Sequence, residues 1–98
     1  EGLTIMNRFE LVERVAARNT ASKAEVDRIL VSALEEIISA VRDGETVTLI
    51  GFGTFKSVER ASRIGRNPVS GEKIMIPPAR RPQFVPGSTF KELLNDGQ

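Results

Sequence analysis

The tightest constraint on how this chain folds is one long apolar stripe. Val26, Ile29, Leu30, Ala33, Leu34, Ile37, Ile38 and Val41 recur at i, i+3, i+4 and i+7, the spacing of a single continuous helix face. Ser22-Lys23-Ala24-Glu25 supplies a capping box ahead of the stripe, and Asp43-Gly44 supplies a stop behind it. The resulting helix of about 20 residues is about 30 Å long, and its apolar face must be covered. Only a short helix precedes it, from about Arg8 to Arg18. Asn7 caps that helix with Glu10 three residues later, and Phe9, Leu11, Val12, Val15 and Ala16 form its apolar side. Asn19-Thr20-Ala21 breaks the pattern between the two. A short helix cannot cover a long stripe, so a sheet or a second copy of the chain must complete the core. A single domain of 98 residues buries only about 60–65% of its unfolded surface, which points the same way.

Composition removes several classes of function. No apolar run approaches the roughly 20 residues needed to span a bilayer. The chain has no cysteine and no histidine, so disulfides, thiolate metal sites, the usual general base and the commonest metal ligand are all missing. Glu35 and Glu36 are adjacent, so a helix points them in different directions, and no base or metal ligand accompanies them. No enzyme, cofactor, metal or small-molecule substrate is expected.

After the helices the pattern changes to β. Glu45-Thr46-Val47-Thr48-Leu49-Ile50 alternates polar and apolar residues, and Phe52 to Ile64 continues extended beyond a Gly51-Phe52-Gly53 corner, so the two segments read as a hairpin. Strand rather than a helix N-terminus follows the glycines, which excludes a phosphate loop.

Net charge is only +1, but it is unevenly spread. Residues 1–53 hold 6 basic and 9 acidic side chains, whereas residues 54–86 hold 7 basic and 2 acidic. A strongly cationic stretch on a mildly acidic body suits a polyanionic partner, and nucleic acid leads. Arg60 to Arg81 has too few large apolar residues for a core of its own. Its centre, Arg66-Asn67-Pro68-Val69-Ser70-Gly71, has the order of a type I turn closed by a left-handed glycine. We expect a projecting two-stranded ribbon with about eight residues per side, reaching about 25 Å at about 3.3 Å per residue. Pro77, Pro78 and Pro82 keep the returning strand out of the centre of a sheet. Ser88 is placed to cap a last helix over Thr89 to Asn95.

The run Gly51-Phe52-Gly53-Thr54-Phe55, then Arg60, Arg63, Gly65-Arg66-Asn67-Pro68, Ser70-Gly71, Ile74, Ile76, Pro82, Phe84 and Pro86-Gly87 closely resembles the bacterial histone-like HU and integration host factor family. The resemblance runs from Met6 to Leu94. It implies an α+β fold: an intertwined homodimer with a helical base, three-stranded antiparallel sheets and two extended β-ribbon arms that embrace double-stranded DNA. On that pattern residues 1–98 are one domain. Residues 7–44 form the helical dimerisation region, 45–59 the sheet, 60–81 the arm, and 82–98 the returning strand and C-terminal helix.

The resemblance also implies roles. Pro68 matches the apolar wedge that unstacks base pairs, although an Asn-Pro pair near glycine is by itself an ordinary turn. Arg60, Arg63, Arg66, Lys73, Arg80 and Arg81 match phosphate and groove contacts, with Asn67 near base edges. Only Glu72 opposes them between Arg60 and Arg81, unlike the mixed charge of a solvated surface. Arg8, Lys23 and Lys56 are weaker candidates: the first two match phosphate contacts at helix starts, and plain exposure explains them equally well. Many relatives carry lysine where this chain has Ser88. Phe52, Phe55 and Phe84 match the dimer core. The implied function is DNA bending and compaction with little sequence preference in a bacterial nucleoid, an organellar one being the less expected setting. Glu1 to Ile5 precede Met6 as a native extension or a processing remnant. A subunit of a site-specific integration-host-factor dimer is the alternative in the same class. A scaffold adding its arm to a partner sheet is the alternative outside it.

Overall fold

The computed structural model describes residues 4–95. Its elements are α1 (Arg8–Asn19), α2 (Lys23–Arg42), β1 (Val47–Leu49), β2 (Gly53–Arg60), β3 (Arg63–Arg66), β4 (Lys73–Ile76), β5 (Ala79–Pro86) and α3 (Ser88–Leu94). The fold is α+β. Two compact units divide at Ile38/Ser39, so the last turn of α2 groups with the strands.

In the first unit the Asn7 capping box forms in full, and the Ser22 box only in the half that Ser22 accepts. Asn7 Oδ1 accepts from the Glu10 amide at 2.9 Å, and Glu10 Oε1 accepts from the Asn7 amide at 3.2 Å. Ser22 Oγ accepts from the Glu25 amide at 3.1 Å. The residue that turns the chain out of α1 is Thr20, left-handed at φ 51°, a conformation unusual for a β-branched residue. Among the described residues Val12 and Ala16 are the only buried side chains, Gly53 being the one other buried residue, and no residue of α2 is buried. Phe9 is 66% exposed, Ile29 59% and Ile38 66%. In a single chain the stripe that dominates the sequence is thus only partly covered: Ile29, Ala33, Leu34 and Ile38 are exposed, and Val26, Leu30, Ile37 and Val41 are half-buried.

The second unit holds two antiparallel sheets, β1-β2-β5 and β3-β4. The first strand is shorter than its alternating sequence. Glu45 donates its amide to Ala40 at the end of α2, and Ile50 enters a turn in which the Phe52 amide reaches the Leu49 carbonyl at 2.9 Å. The two corner glycines are there for different reasons. Gly51 takes φ +87°, whereas Gly53 is buried beneath the Phe84 ring, and a Cβ on it would also sit 2.7 Å from the Val85 carbonyl oxygen. Phe52, Phe55 and Phe84 cluster with Phe90 of α3; ring centroids are 4.9 Å apart for Phe55–Phe84 and 5.5 Å for Phe52–Phe90.

Three expectations are corrected. The ribbon is not paired over eight residues per side. Ladder bonds stop at Arg60–Ala79 and resume at Arg63–Ile76, leaving four rungs to Arg66–Lys73. Pro77 and Pro78 fall at the gap, and neither has an N–H to donate. The tip turn is wider than type I, with the Gly71 amide reaching the Asn67 carbonyl at 2.7 Å across five residues; Gly71 is left-handed as expected, at φ +77°. Finally, Ser88 is not a cap. Gly87 holds that position, extended at φ −76°, with its amide donated to the Phe52 carbonyl at 2.9 Å, so Ser88 is the first residue of α3. The helix ends at Leu94. Pro82 does lie in a ladder, opposite Ser57, but β5 is an outer strand and tolerates it.

The close approach at Gly53 yields a stability prediction. Gly53→Ala forces Phe84 and the β5 backbone apart at a cost of about 2–3 kcal/mol, lowering the thermal midpoint by about 10 °C or more in a domain this small. Circular dichroism melts check it, and an unchanged midpoint refutes the contact.

Candidate nucleic-acid interface

Strand register decides where each cation points, because neighbours along a strand face opposite ways and residues directly across a ladder face the same way. In the β2–β5 ladder, Phe55 pairs with Phe84, Ser57 with Pro82 and Glu59 with Arg80; these share the phenylalanine face. Lys56 pairs with Gln83, Val58 with Arg81 and Arg60 with Ala79; these share the other face. Lys56, Arg60 and Arg81 therefore lie together on the side away from the aromatic cluster. Beyond the gap the pairing resumes without a slip, since Arg63 faces Ile76, three residues further on in one strand and three earlier in the other. Within the β3–β4 ladder Arg66 and Lys73, directly opposite each other, share one face with Ile64 and Met75, and Arg63 takes the reverse side.

The ribbon tip is held by its own hydrogen bonds. Asn67 Oδ1 accepts from the Val69 amide at 2.8 Å and from the Ser70 amide at 3.4 Å, and Arg66 Nη1 donates to the Gly71 carbonyl at 3.0 Å. Asn67 is thus half-occupied as a turn former, leaving its NH2 group for other partners. Pro68 stands exposed at the apex beside Val69, which is 94% exposed. The end of the cationic ribbon thus presents a rigid apolar ring to solvent.

The cations differ in how they are engaged. Arg8 pairs with Asp27 and Lys23 with Glu13, both at 3.0 Å, which joins α1 to the start of α2. These side chains remain 58% and 61% exposed, and such pairs contribute at most about 1 kcal/mol, so both cations stay within reach of an anion. Among the described residues no carboxylate forms an ion pair with Lys56, Arg60, Arg63, Arg66, Lys73 or Arg81. The arm concentrates unneutralised positive charge. Also among the described residues, no group of three or more His, Cys, Asp or Glu side chains is placed to hold a metal, and no helix is long and apolar enough to cross a membrane.

The family model described as bacterial DNA-binding protein matches residues 6–95. The chain belongs to that family. It is 49% identical over 87 residues to the DNA-binding protein HU of Nostoc sp., covering 89% of this chain and 93% of the relative. It is 43% identical over 89 residues to a DNA-binding protein HU-beta of Neisseria meningitidis, covering 91% of this chain and all of the relative. Among solved structures, an Anabaena HU–DNA cocrystal structure matches with a TM-score of 0.83 at 47% identity, covering 93% of this chain and 99% of that one. HU from Thermotoga maritima matches at 0.64 with 34% identity, covering 91% and 98%.

Arg80 makes a contact within the fold that the other cations of the arm lack. On the phenylalanine face it reaches the C-terminal end of α2, where Nη2 donates to the Val41 carbonyl at 3.1 Å and to the Arg42 carbonyl at 2.9 Å. The last carbonyls of a helix lack intrahelical partners and carry partial negative charge, so a guanidinium there stabilises by about 1 kcal/mol. Nothing in the local sequence signals this contact, because the partners lie 38 and 39 residues away. The predicted consequence separates Arg80 from Arg81. Arg80→Met should lower the melting midpoint by several degrees, about 4–8 °C per kcal/mol, with the salt dependence of DNA affinity unchanged. Arg81→Met should leave the midpoint alone and make the log–log salt slope shallower by about 2 for the two copies in a dimer. Salt titrations of both variants check it.

Proposed function

We propose that the protein is a histone-like architectural factor without catalytic activity: a homodimer that binds double-stranded DNA, bends it, and packs it in the bacterial nucleoid. The observation that carries the reading is the cross-strand register: Lys56, Arg60 and Arg81 share one side of the β2–β5 ladder, Arg66 and Lys73 face each other in the β3–β4 ladder that resumes in step beyond it, and Pro68 is exposed at the tip. Family membership and the HU–DNA cocrystal neighbour support the partner.

A second copy supplies what the single chain lacks. The open stripe of α2 and the half-exposed Phe52 and Phe84, 45% and 37% accessible, are surfaces of a core cut in two. Pairing two chains closes the Phe52, Phe55, Phe84 and Phe90 cluster and sets two arms on one duplex. Arg8 and Lys23 then meet flanking phosphates. Architectural proteins of this family are among the known minor-groove binders that insert apolar wedges and kink the duplex, and Pro68 is the residue of this chain suited to it. The minor groove separates little beyond A·T from G·C, so preference follows deformability rather than sequence.

A mobility-shift series on linear, nicked and four-way DNA tests the proposal. With about eight phosphates neutralised, log affinity falls against log salt with a slope near about −7. Arg66→Ala weakens binding to every substrate and makes the slope shallower by about 2. Pro68→Ala keeps the slope and loses the preference for nicked over linear duplex. A flat salt response contradicts the reading.

A further inference from the structure

One pair of side chains on the cation-bearing side of the ribbon is large and apolar. Ile64 and Met75 face each other across the ribbon between the Arg60–Ala79 and Arg66–Lys73 rungs. They are 65% and 66% exposed. On the reverse side the apolar residues are accommodated within the ribbon. Ile76 leans over Gly65, whose missing Cβ would lie 2.7 Å from the Ile76 Cδ1, and Ile74 packs beside it, 45% exposed. One face is thus folded onto bare glycine backbone, and the other holds two large apolar groups out to solvent. An isolated ribbon gains nothing from that exposure and incurs an aggregation hazard.

The same face carries a second unfavourable feature, Arg66 directly opposite Lys73, a like-charge cross-strand pair that weakens the ladder. Both costs have one partner that reverses them. The walls of a DNA groove present anionic phosphates at the rim and the carbon edges of deoxyribose deeper in, the latter independent of base sequence. We propose that Ile64 and Met75 form an apolar rung that packs on the deoxyribose edges of the minor groove, between flanking cations that hold the rims. The proposal rests on the arm's engagement of DNA proposed above, and it assigns the ribbon face carrying Ile64, Arg66, Lys73 and Met75 to the duplex. Burial of carbon on carbon adds affinity without adding ionic contacts, so it contributes nothing to the salt slope. Met75, unbranched and polarizable, adapts to grooves of different width.

The experiment compares the two faces on a nicked duplex. Ile64→Thr with Met75→Gln weakens binding by about tenfold, as loss of about 1.4 kcal/mol requires, and leaves the salt slope at the parent value. Ile74→Thr on the reverse face stays within about twofold of the parent. Arg66→Ala serves as the control for the underlying reading. If it weakens binding and flattens the slope while the Ile64/Met75 variant binds like the parent, the apolar rung is overturned and the arm's function stands. If Arg66→Ala also binds like the parent, the engagement of the arm itself fails. A readout on the unaltered protein removes dependence on folding of the variants. Peroxide transfers an oxygen atom to the exposed Met75 thioether, giving sulfoxide and water, and saturating duplex slows this reaction several-fold relative to added free N-acetylmethionine. An unchanged rate with DNA bound overturns the rung.

Discussion

Cross-strand register is the constraint on which the rest of the structure depends. Arg80 and Arg81 are neighbours of like charge, yet one caps α2 and the other joins Lys56 and Arg60, because adjacent strand residues face opposite ways. A slip of one residue would exchange those roles and turn the phenylalanines to the opposite face. The prolines make the maintained register informative. Pro77 and Pro78 interrupt the ladder, but pairing returns in step from Arg63–Ile76 onward, so the gap relaxes hydrogen bonding at the base of the arm without shifting the register of its two strands.

The helical unit raises a different physical problem. With Val12 and Ala16 the only buried apolar side chains among the described residues, apolar burial in one chain is too small to offset the conformational entropy of ordering it. The stripe on α2 and the partly open phenylalanine cluster have the composition of an obligate interface. Stability and DNA binding are therefore linked through one event: the pairing that closes the core also brings two arms to one duplex.

Local chemistry was legible in the sequence, and long-range chemistry was not. The Asn7–Glu10 box, the Ser22 cap, the stop at Asp43-Gly44 and the left-handed Gly71 each depend on residues a few positions apart. The arm announced itself through its charge and its Asn-Pro and Gly residues. The left-handed Thr20 was hidden because propensity favours Asn19 for that conformation. Gly87 displaced Ser88 as a cap because its amide is committed to Phe52, a contact between distant segments. Phe90 carries no signal of its own in a short, weakly patterned helix, although it stacks on Phe52 at 24° between ring planes. Arg80 looked like its cationic neighbours, and only the fold brings it to the end of α2.

The most direct test is removal of the arm at its natural boundary. Arg60 and Ala79 are cross-strand partners, so a tight Asn-Gly turn can join them in place of residues 61–78 and preserve the sheet beneath. The measurement is the end-to-end distance of a dye-labelled duplex by energy transfer, alongside the protein's mass in solution. The account predicts a folded dimer that leaves the duplex as long as free DNA. A truncated dimer that shortens the duplex as much as the intact chain does would contradict it.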